Sequence, residues 1–530
     1  MCSIMYSSDK TISESEFTKE FAKLQHRGPD MTKIIKDDTG IWGFHRLAIM
    51  DLSESGMQPF EFDGSRVICN GEIYRYRVLK QTLESDYTFK SSSDCEVLLP
   101  LYRKHGFDMF GMLDAEFALV MYDDNQKEII AARDPIGIRP LFYGYSKETK
   151  GIMFASEAKA LIELCEEIMP FPIGSYYYKG EFIQYHDASK YSVYTDSSLD
   201  EITSGIKERL YDGVVKRLDA DAPLGFLLSG GLDSSLVCAI AADYLKKYGK
   251  KIRTFGVGMA TDAIDLKYAK IVADYIESDH TEVIINKEDV LGALKDVIYL
   301  LETFDITTIR ASIGMHLLCK HIHKYTDVRV LMTGEISDEL FGYKYTDFAP
   351  SDIEFQKEAE KRIRELYMYD VLRADRCISG NSIEGRVPFG DLAFVDYVMG
   401  IDPKYKINKY NKGKYLLRAA FMGDYLPEPI LMREKAAFSD AVGHSLVDYL
   451  KAHAEELYTD EDVVKAQEKY AYHCPPFTKE SLMYRDIFET FYEGKATMIK
   501  DFWMPNKDWV GSEIKDPSAR VLSNYGDSGK

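Results

Sequence analysis

The heptapeptide Ser229-Gly-Gly-Leu-Asp-Ser-Ser235 constrains this chain more than any other stretch, because the apolar run Pro223 to Leu228 drives into it and a helical pattern leaves it. A strand that turns through paired glycines into a helix start exposes unpaired backbone N–H groups and the positive end of a helix dipole. Such a turn seats phosphate. Gly230 and Gly231 let backbone approach an anion with no Cβ in the way, and Ser229, Ser234 and Ser235 add hydroxyl donors. Asp233 is placed to reach a magnesium ion rather than the phosphate itself. No lysine follows the glycines, which excludes the G-x-x-x-x-G-K loop that reads a γ-phosphate.

With 530 residues the chain exceeds what one hydrophobic core organises, so two or more domains are expected. A net charge of −20 argues against a nucleic-acid partner, since binding to phosphate backbones needs clustered lysine and arginine. Eight cysteines lie far apart with no C-x-x-C pair, the pattern of reduced thiols in a cytoplasmic protein rather than of disulfides or zinc. No window approaches ~18 consecutive apolar residues, and no basic stretch leads into an apolar one near the start. The expectation is a cytoplasmic protein with no membrane partner.

Residues 1 to about 185 read as short strands with turns, at Ile41 to Met50, Arg66 to Cys69, Glu116 to Tyr122, Glu128 to Ala132, Leu141 to Tyr145 and Ile152 to Ala155. Alternation predicts sheets packed face to face, with helices over Glu14 to Leu24 and Asp94 to Lys104. His186 to Asp200 is polar and aperiodic, which suits an interdomain linker, set here at 186–204 between domains at 2–185 and 205–530. Beyond it, helical patterns alternate with strands at Gly225 to Leu228, Arg253 to Val257, Thr281 to Ile285 and Val328 to Met332. That alternation predicts a parallel sheet with ligands at the carboxyl ends of its strands. After Asp352 the pattern is mostly helical.

Other motifs belong at the same strand ends. Thr333-Gly-Glu-Ile-Ser-Asp-Glu339 sets three acids around a glycine turn, suited to hold magnesium and to serve as a base. Arg433-Glu-Lys435 offers cations to neutralise charge on a departing pyrophosphate. The Ser229 loop itself resembles the pyrophosphate loop of ATP pyrophosphatases. With Thr254 to Gly258, Asp265, Tyr268, His280 to Glu282, Arg373 to Arg376, Glu384 to Phe389 and Lys414 to Arg418, the half from Leu227 to about Gly443 resembles the synthetase half of glutamine-dependent asparagine synthetases. The resemblance implies ATP contacts at Leu227, Ser229, Gly230, Gly231, Asp233, Ser234, Val257, Thr333, Gly334 and Lys435, with Mg2+ and pyrophosphate at Asp233 and Asp338. Glu335 would take a proton from attacking ammonia. Four positions depart from the family pattern: Ile336 replaces a glycine, Tyr343 follows Gly342 where two glycines are commoner, Asn381 stands for alanine, and Ala441 for glycine. Ile336 matters most, because a β-branched residue takes φ > 0 only at a cost.

Cys2 directly follows the initiator methionine. Removal of Met1 would leave a thiol and an α-amine on one residue, and an amine of pKa roughly 7.7–8.0 is able to act as base for its own thiol. His26-Arg-Gly-Pro-Asp30, His45-Arg-Leu47, Asn70-Gly-Glu-Ile-Tyr74, Ser93-Asp94 and Arg133-Asp-Pro-Ile-Gly137 follow in that order. Together they resemble the class II, N-terminal-nucleophile glutamine amidotransferases, over Cys2 to about Ala160. Glutamine presents an α-carboxylate, an α-ammonium and an amide, so its site needs a guanidinium, acids and an amide donor. Arg46 fits the carboxylate, Asp94 and Glu72 the ammonium, and Asn70 with the N–H of Gly71 an oxyanion hole. The resemblance adds backbone contacts from Leu47, Ala48, Ile49 and Met50. By itself Asn70-Gly71 is also a common hairpin turn.

The resemblance therefore implies an α+β αββα glutaminase joined to an α/β ATP-pyrophosphatase domain with a parallel sheet and a helical carboxyl-terminal part. The implied reaction amidates L-aspartate with ammonia from glutamine through β-aspartyl-AMP, with ATP as substrate. Its partners would be glutamine, aspartate and ATP, with the oligomeric state open, a homodimer included. Two other readings share the motifs: the same architecture acting on another carboxylate, and a ring-closing relative that no longer hydrolyses glutamine.

Overall fold

The computed structural model describes all residues except 192, 196, 262, 411, 424, 435–441 and 526–530. Lys435 and Ala441 lie outside the described residues.

Two six-stranded antiparallel sheets form the amino-terminal part. The first runs Cys165–Pro170, Phe142–Ser146, Ile152–Ala155, Ser3–Ser7, Gly40–Arg46, Met31–Asp37; the second runs Glu181–Gln184, Ser175–Tyr178, Glu128–Arg133, Ala115–Asp123, Ser65–Ile73, Phe60–Phe62. Side-chain alternation dictates how they stack. Ile4, Tyr6, Trp42 and Phe44 of the first sheet meet Ile68, Ala118, Val120 and Ala131 of the second in one buried layer. The opposite faces take helices: Met5 and Ile41 lie under Phe17 and Phe21, while Val67, Cys69 and Leu119 lie under Leu98 and Leu101. The result is an αββα sandwich.

A five-stranded parallel sheet follows, in the order Asp279–Ile285, Arg253–Met259, Leu224–Leu227, Val330–Met332, Glu384–Arg386. Leu224–Leu227 is central, so the loop that leaves it opens at the sheet's middle.

Three local differences from the sequence reading have physical causes. The strand expected to stop at Cys69 continues to Ile73, paired with Ala115–Asp123, so Asn70 and Gly71 sit inside a strand and not in a hairpin turn. The strand expected to reach Met50 stops at Arg46, where Leu47 leaves the ladder. The helix after the linker opens at Leu199, inside the stretch assigned to the linker, because Ser198 and Glu201 close a capping box.

One apolar cluster runs from Met5, Phe17 and Met153 into Leu294, Val297, Ile309 and Phe488, so the two parts share a core. Within their interface lies a buried ion network. Arg27 Nη1 donates to Glu157 Oε1 at 2.7 Å and to Asp375 Oδ2 at 2.8 Å, and Arg27 Nε donates to the Cys2 carbonyl at 3.0 Å. Arg376 pairs with Glu157 at 2.6 Å and Glu302 at 2.8 Å, and Lys159 with Glu157 at 2.5 Å. Burial pushes the Glu157 carboxyl up, yet Arg376, Lys159 and His26 hold it well below its ordinary value of 4.5. A carboxyl depressed in the fold stabilises above its unfolded pKa and loses that contribution as pH falls. Glu157→Ala, which strands Arg27, Arg376 and Lys159 without their shared partner, is expected to cost about 3–5 kcal/mol in denaturant unfolding. Glu157→Gln should flatten the fall in stability as pH drops below 4.5.

Two candidate active sites

Cys2 precedes the central strand Ser3–Ser7, and pairing of Ser3 with His45 brings it beside Arg46 and Leu47. Its Sγ lies 3.6 Å from the Leu47 carbonyl. Burial pushes the thiol up to about 11, and the same burial lowers the Met1 α-amine to about 5, where it donates to the Ile383 carbonyl at 3.4 Å. The Arg46 guanidinium donates to the Met50 carbonyl at 3.4 Å and to those of Asp51 and Ser53. It lies against Gly56, where a Cβ would meet Nη2 at 2.2 Å. The loop carrying Leu47, Ala48, Ile49 and Met50 is pinned at both ends. Ala48 N–H donates to Asp30 Oδ2 at 2.9 Å, and the Ile49 carbonyl accepts from Asp221 N–H at 3.1 Å.

Across from this loop, Asn70 is fully buried, and neither its Oδ1 nor its Nδ2 makes a hydrogen bond. A buried carboxamide with both ends unsatisfied costs on the order of 1–3 kcal/mol for each group, so it is a group awaiting a polar partner. Beside it, a Cβ on Gly71 would strike the Glu116 carbonyl at 2.7 Å, so this position admits only glycine. Asp94 Oδ2 accepts from Ile73 N–H at 2.7 Å, and burial raises its pKa. Glu72, also raised by burial, pairs with Arg386 at 3.0 Å across the interface. Of the two acids assigned to the substrate ammonium, Glu72 thus faces Arg386 of the other domain, while Asp94 is held by the Ile73 N–H of its own.

The second site lies at the carboxyl end of the parallel sheet. Gly230 has φ +69°, and a Cβ there would meet Ala269 N at 2.4 Å. Gly231 caps the helix Leu232–Lys246, and its N–H donates to Ser229 Oγ at 3.3 Å. Gly334 approaches so closely that a Cβ would meet Ser234 N at 2.7 Å, which sets the Thr333–Glu339 loop against the Ser229 loop. Leu227, Ser229, Gly231, Asp233, Ser234, Val257, Thr333, Gly334, Glu335 and Asp338 line one cavity. Thr333 Oγ1 is buried and makes no hydrogen bond, another polar group turned to that space.

Three cations meet acids here: Lys414 and Arg373, to which the sequence motifs give no role, and Arg433, expected to neutralise charge on pyrophosphate. Lys414 Nζ sits between the two aspartates, 2.8 Å from Asp233 Oδ1 and 2.6 Å from Asp338 Oδ1, and 3.0 Å from Ser337 Oγ. Arg373 Nη2 lies 2.5 Å from Glu335 Oε2. Arg433 donates to the Gly230 carbonyl at 3.0 Å and to Asp265 at 2.9 Å, with its guanidinium over the Tyr268 ring. Their sequence neighbours carry no sign of this. Lys414 reaches Asp233 across 181 residues from a left-handed backbone at φ +57°.

Known proteins match this arrangement along its length. A glutamine amidotransferase domain model matches residues 1–194, and an asparagine synthase model matches 205–352 and 349–510. A probable glutamine-hydrolysing asparagine synthetase of Acanthamoeba polyphaga mimivirus is 40% identical over 534 residues, covering 94% of this chain and 95% of the relative. The chain belongs to the glutamine-hydrolysing asparagine synthetase family. A probable synthetase of Dictyostelium discoideum is 39% identical over 98% of both chains, and that of Cricetulus griseus 38% identical over 100% of both.

Ile336, expected to depart from the family pattern, has a left-handed backbone at φ +81° and ψ −22°, the region that favours glycine. A left-handed L-residue costs roughly 1–2 kcal/mol. Packing offsets it. The side chain is 2% exposed, and a Cβ on Gly390 would meet Ile336 Cδ1 at 2.7 Å and Ile138 Cδ1 of the amidotransferase domain at 3.0 Å. Two truncations separate these terms. Both Ile336→Ala and Ile336→Gly lose the packing, but only glycine relieves the backbone, so the glycine variant is expected to be the more stable by about 1 kcal/mol in denaturant unfolding, reversing the usual order.

Proposed function

We propose that the two sites divide the work of one reaction, the amidation of L-aspartate to L-asparagine at the expense of ATP, with glutamine as nitrogen donor. The observation that carries this reading is a single chain holding both a buried, unsatisfied Asn70 in the domain that begins with Cys2 and a glycine turn at the centre of a parallel sheet, in one cavity with Glu335.

In the first site, once Met1 is removed, the Cys2 amine takes the proton of its own thiol. The sulfur attacks the glutamine amide, ammonia leaves, and water releases glutamate from the thioester. Asn70 Nδ2 and the Gly71 N–H receive the developing oxyanion, Arg46 the α-carboxylate and Asp94 the α-ammonium. In the second site, the aspartate side-chain carboxylate attacks the α-phosphorus of ATP and displaces pyrophosphate, forming β-aspartyl-AMP. Ammonia adds to the acyl carbon, Glu335 accepts a proton, and AMP departs. The Ser229 loop holds the phosphates, with Leu227, Val257, Thr333 and Gly334 against the nucleotide and Lys435 assigned to the phosphates.

The oxygen donors of Asp233 and Asp338 suit magnesium, which takes one or two carboxylates together with substrate phosphates. Magnesium there would neutralise charge on the pyrophosphate, and Lys414, already between both carboxylates, would add a fixed cation. We place the enzyme in the cytoplasm, since all eight cysteines are free thiols. Among the described residues no helix is long and apolar enough to cross a membrane.

Cys2→Ala is expected to abolish asparagine formation from glutamine while synthesis from ammonium salts remains; equal loss of both would refute the division of labour. Asn70→Ala should lower the glutaminase kcat about 10²–10³-fold. The pH profile follows from burial. Burial lowers an α-amine below its ordinary roughly 7.7–8.0, so a Cys2 amine buried as its thiol is should hold glutaminase activity to a pH below that range. Half-activity near 8 would instead mean an amine as exposed to water as in a free peptide.

A further inference from the structure

Residues 499–525 form an irregular segment whose one regular turn is Ala519–Val521. Irregular stretches longer than about 12–15 residues are uncommon in compact domains and are usually functional. This one is fastened along its length. Trp503 N–H donates to Asp305 Oδ1 at 2.7 Å, Arg362 Nη2 to the Met504 carbonyl at 2.6 Å, and Asn524 Nδ2 to the Lys344 carbonyl at 2.6 Å. Asp516 accepts from Arg310 Nη1 at 2.8 Å and pairs with Lys451. Ala519, Leu522 and Tyr525 are buried with Tyr345 in a small apolar cluster of their own.

The segment does more than cover a surface. Trp503, Pro505, Pro517, Ala519 and Leu522 line the same cavity as Glu335, Arg373 and the Ser229 loop. The phosphate-binding groups of that cavity come from the sheet, whereas the segment adds chiefly apolar surface. Arg310, which also lines the cavity, is held in place on one side by Glu480 at 2.8 Å and on the other by Asp516.

We propose that Trp503–Leu522 is the acceptor-side wall of the synthetase pocket, latched by Asp516 on Arg310, and that it keeps water from the acyl-adenylate. The proposal rests on the acyl-adenylate reading above. The reaction prevented is addition of water to the acyl carbon with cleavage of its bond to the AMP oxygen, which returns aspartate and AMP and releases the protons to solvent. Each such event consumes ATP without making asparagine.

The test uses the full chain with two independent variants. Asp516→Asn loosens the latch, and Leu522→Ala opens the wall away from any charge. Each is assayed with ATP, aspartate and ammonium salts, and separately for glutaminase activity. In either variant, AMP formed per asparagine should rise from near one to several, and the KM for aspartate should rise about tenfold, as for loss of one charge-assisted or well-packed contact. The KM for ATP should change less than that for aspartate, because the Ser229 loop lies on the sheet side of the cavity, and the glutaminase rate should stay within about twofold, because that site lies in the other domain. An unchanged ratio and KM in both variants would overturn the wall. So would a lower aspartate KM in Asp516→Asn, which would make Asp516 a competitor for Arg310 rather than a latch. Failure of the wild-type chain to make asparagine from ammonium salts would count against the acyl-adenylate reading instead.

Discussion

The side chain on which the rest depends is Arg27. It is fully buried and binds at once the Cys2 carbonyl, Glu157 of its own domain and Asp375 of the other. Burying a guanidinium without partners costs several kcal/mol, so the fold can bury it only by surrounding it with acids, and those acids bring further cations. Arg376, Lys159 and Glu302 complete the set. An apolar interface would hold two domains together as well or better, but it would tolerate sliding. A closed network of directional pairs has one low-energy register, which suits two sites that must stay aligned.

The helix Asp370–Ser379 is where that alignment becomes chemistry. Asp375 and Ser379 reach Arg27 and, through it, the carbonyl of Cys2. Two residues earlier, on another side of the helix, Arg373 reaches Glu335. Successive helical residues are turned by about 100°, so one short helix directs neighbouring side chains to different partners without bending. On the proposed reading, ammonia made at the first site must reach Glu335 at the second before it is protonated in bulk water. A rigid helix touching the machinery of both keeps the distance between them constant.

How far the sequence revealed this depends on the range of the interaction. The Ser229 loop and the alternation that packs two sheets face to face are local, and local rules read them. Asn70-Gly71 was ambiguous because a turn and a strand interior share that dipeptide, and only pairing with Ala118 and Phe117 decides for the strand. Lys414, Arg373 and Arg433 could be quoted within motifs but not given partners, since each meets its acid across 38 to 181 residues. The same holds for Glu72, whose pairing with Arg386 joins positions more than three hundred apart in the chain. Ile336 shows the reverse limit. Its sequence signalled strain, and the strain is present, but the packing on Gly390 that tolerates it was invisible.

Lys414 also explains how two aspartates can wait side by side for a polyphosphate. Asp233 is 5% exposed, and two carboxylates at close range in such surroundings repel unless a cation lies between them. The ammonium of Lys414 supplies it, hydrogen-bonded to Asp233 and Ser337 and ion-paired with Asp338. On the proposed reading, a magnesium–polyphosphate complex would bring charges of both signs, with Asp233 and Asp338 to hold the metal and Lys414 to meet the phosphates. The site would then exchange one set of ion pairs for another and need not expose or bury an uncompensated charge as substrate enters or pyrophosphate leaves. A lysine on a left-handed backbone is an improbable local choice. It becomes intelligible where a helix must begin one residue later while its cap points back at the phosphate loop.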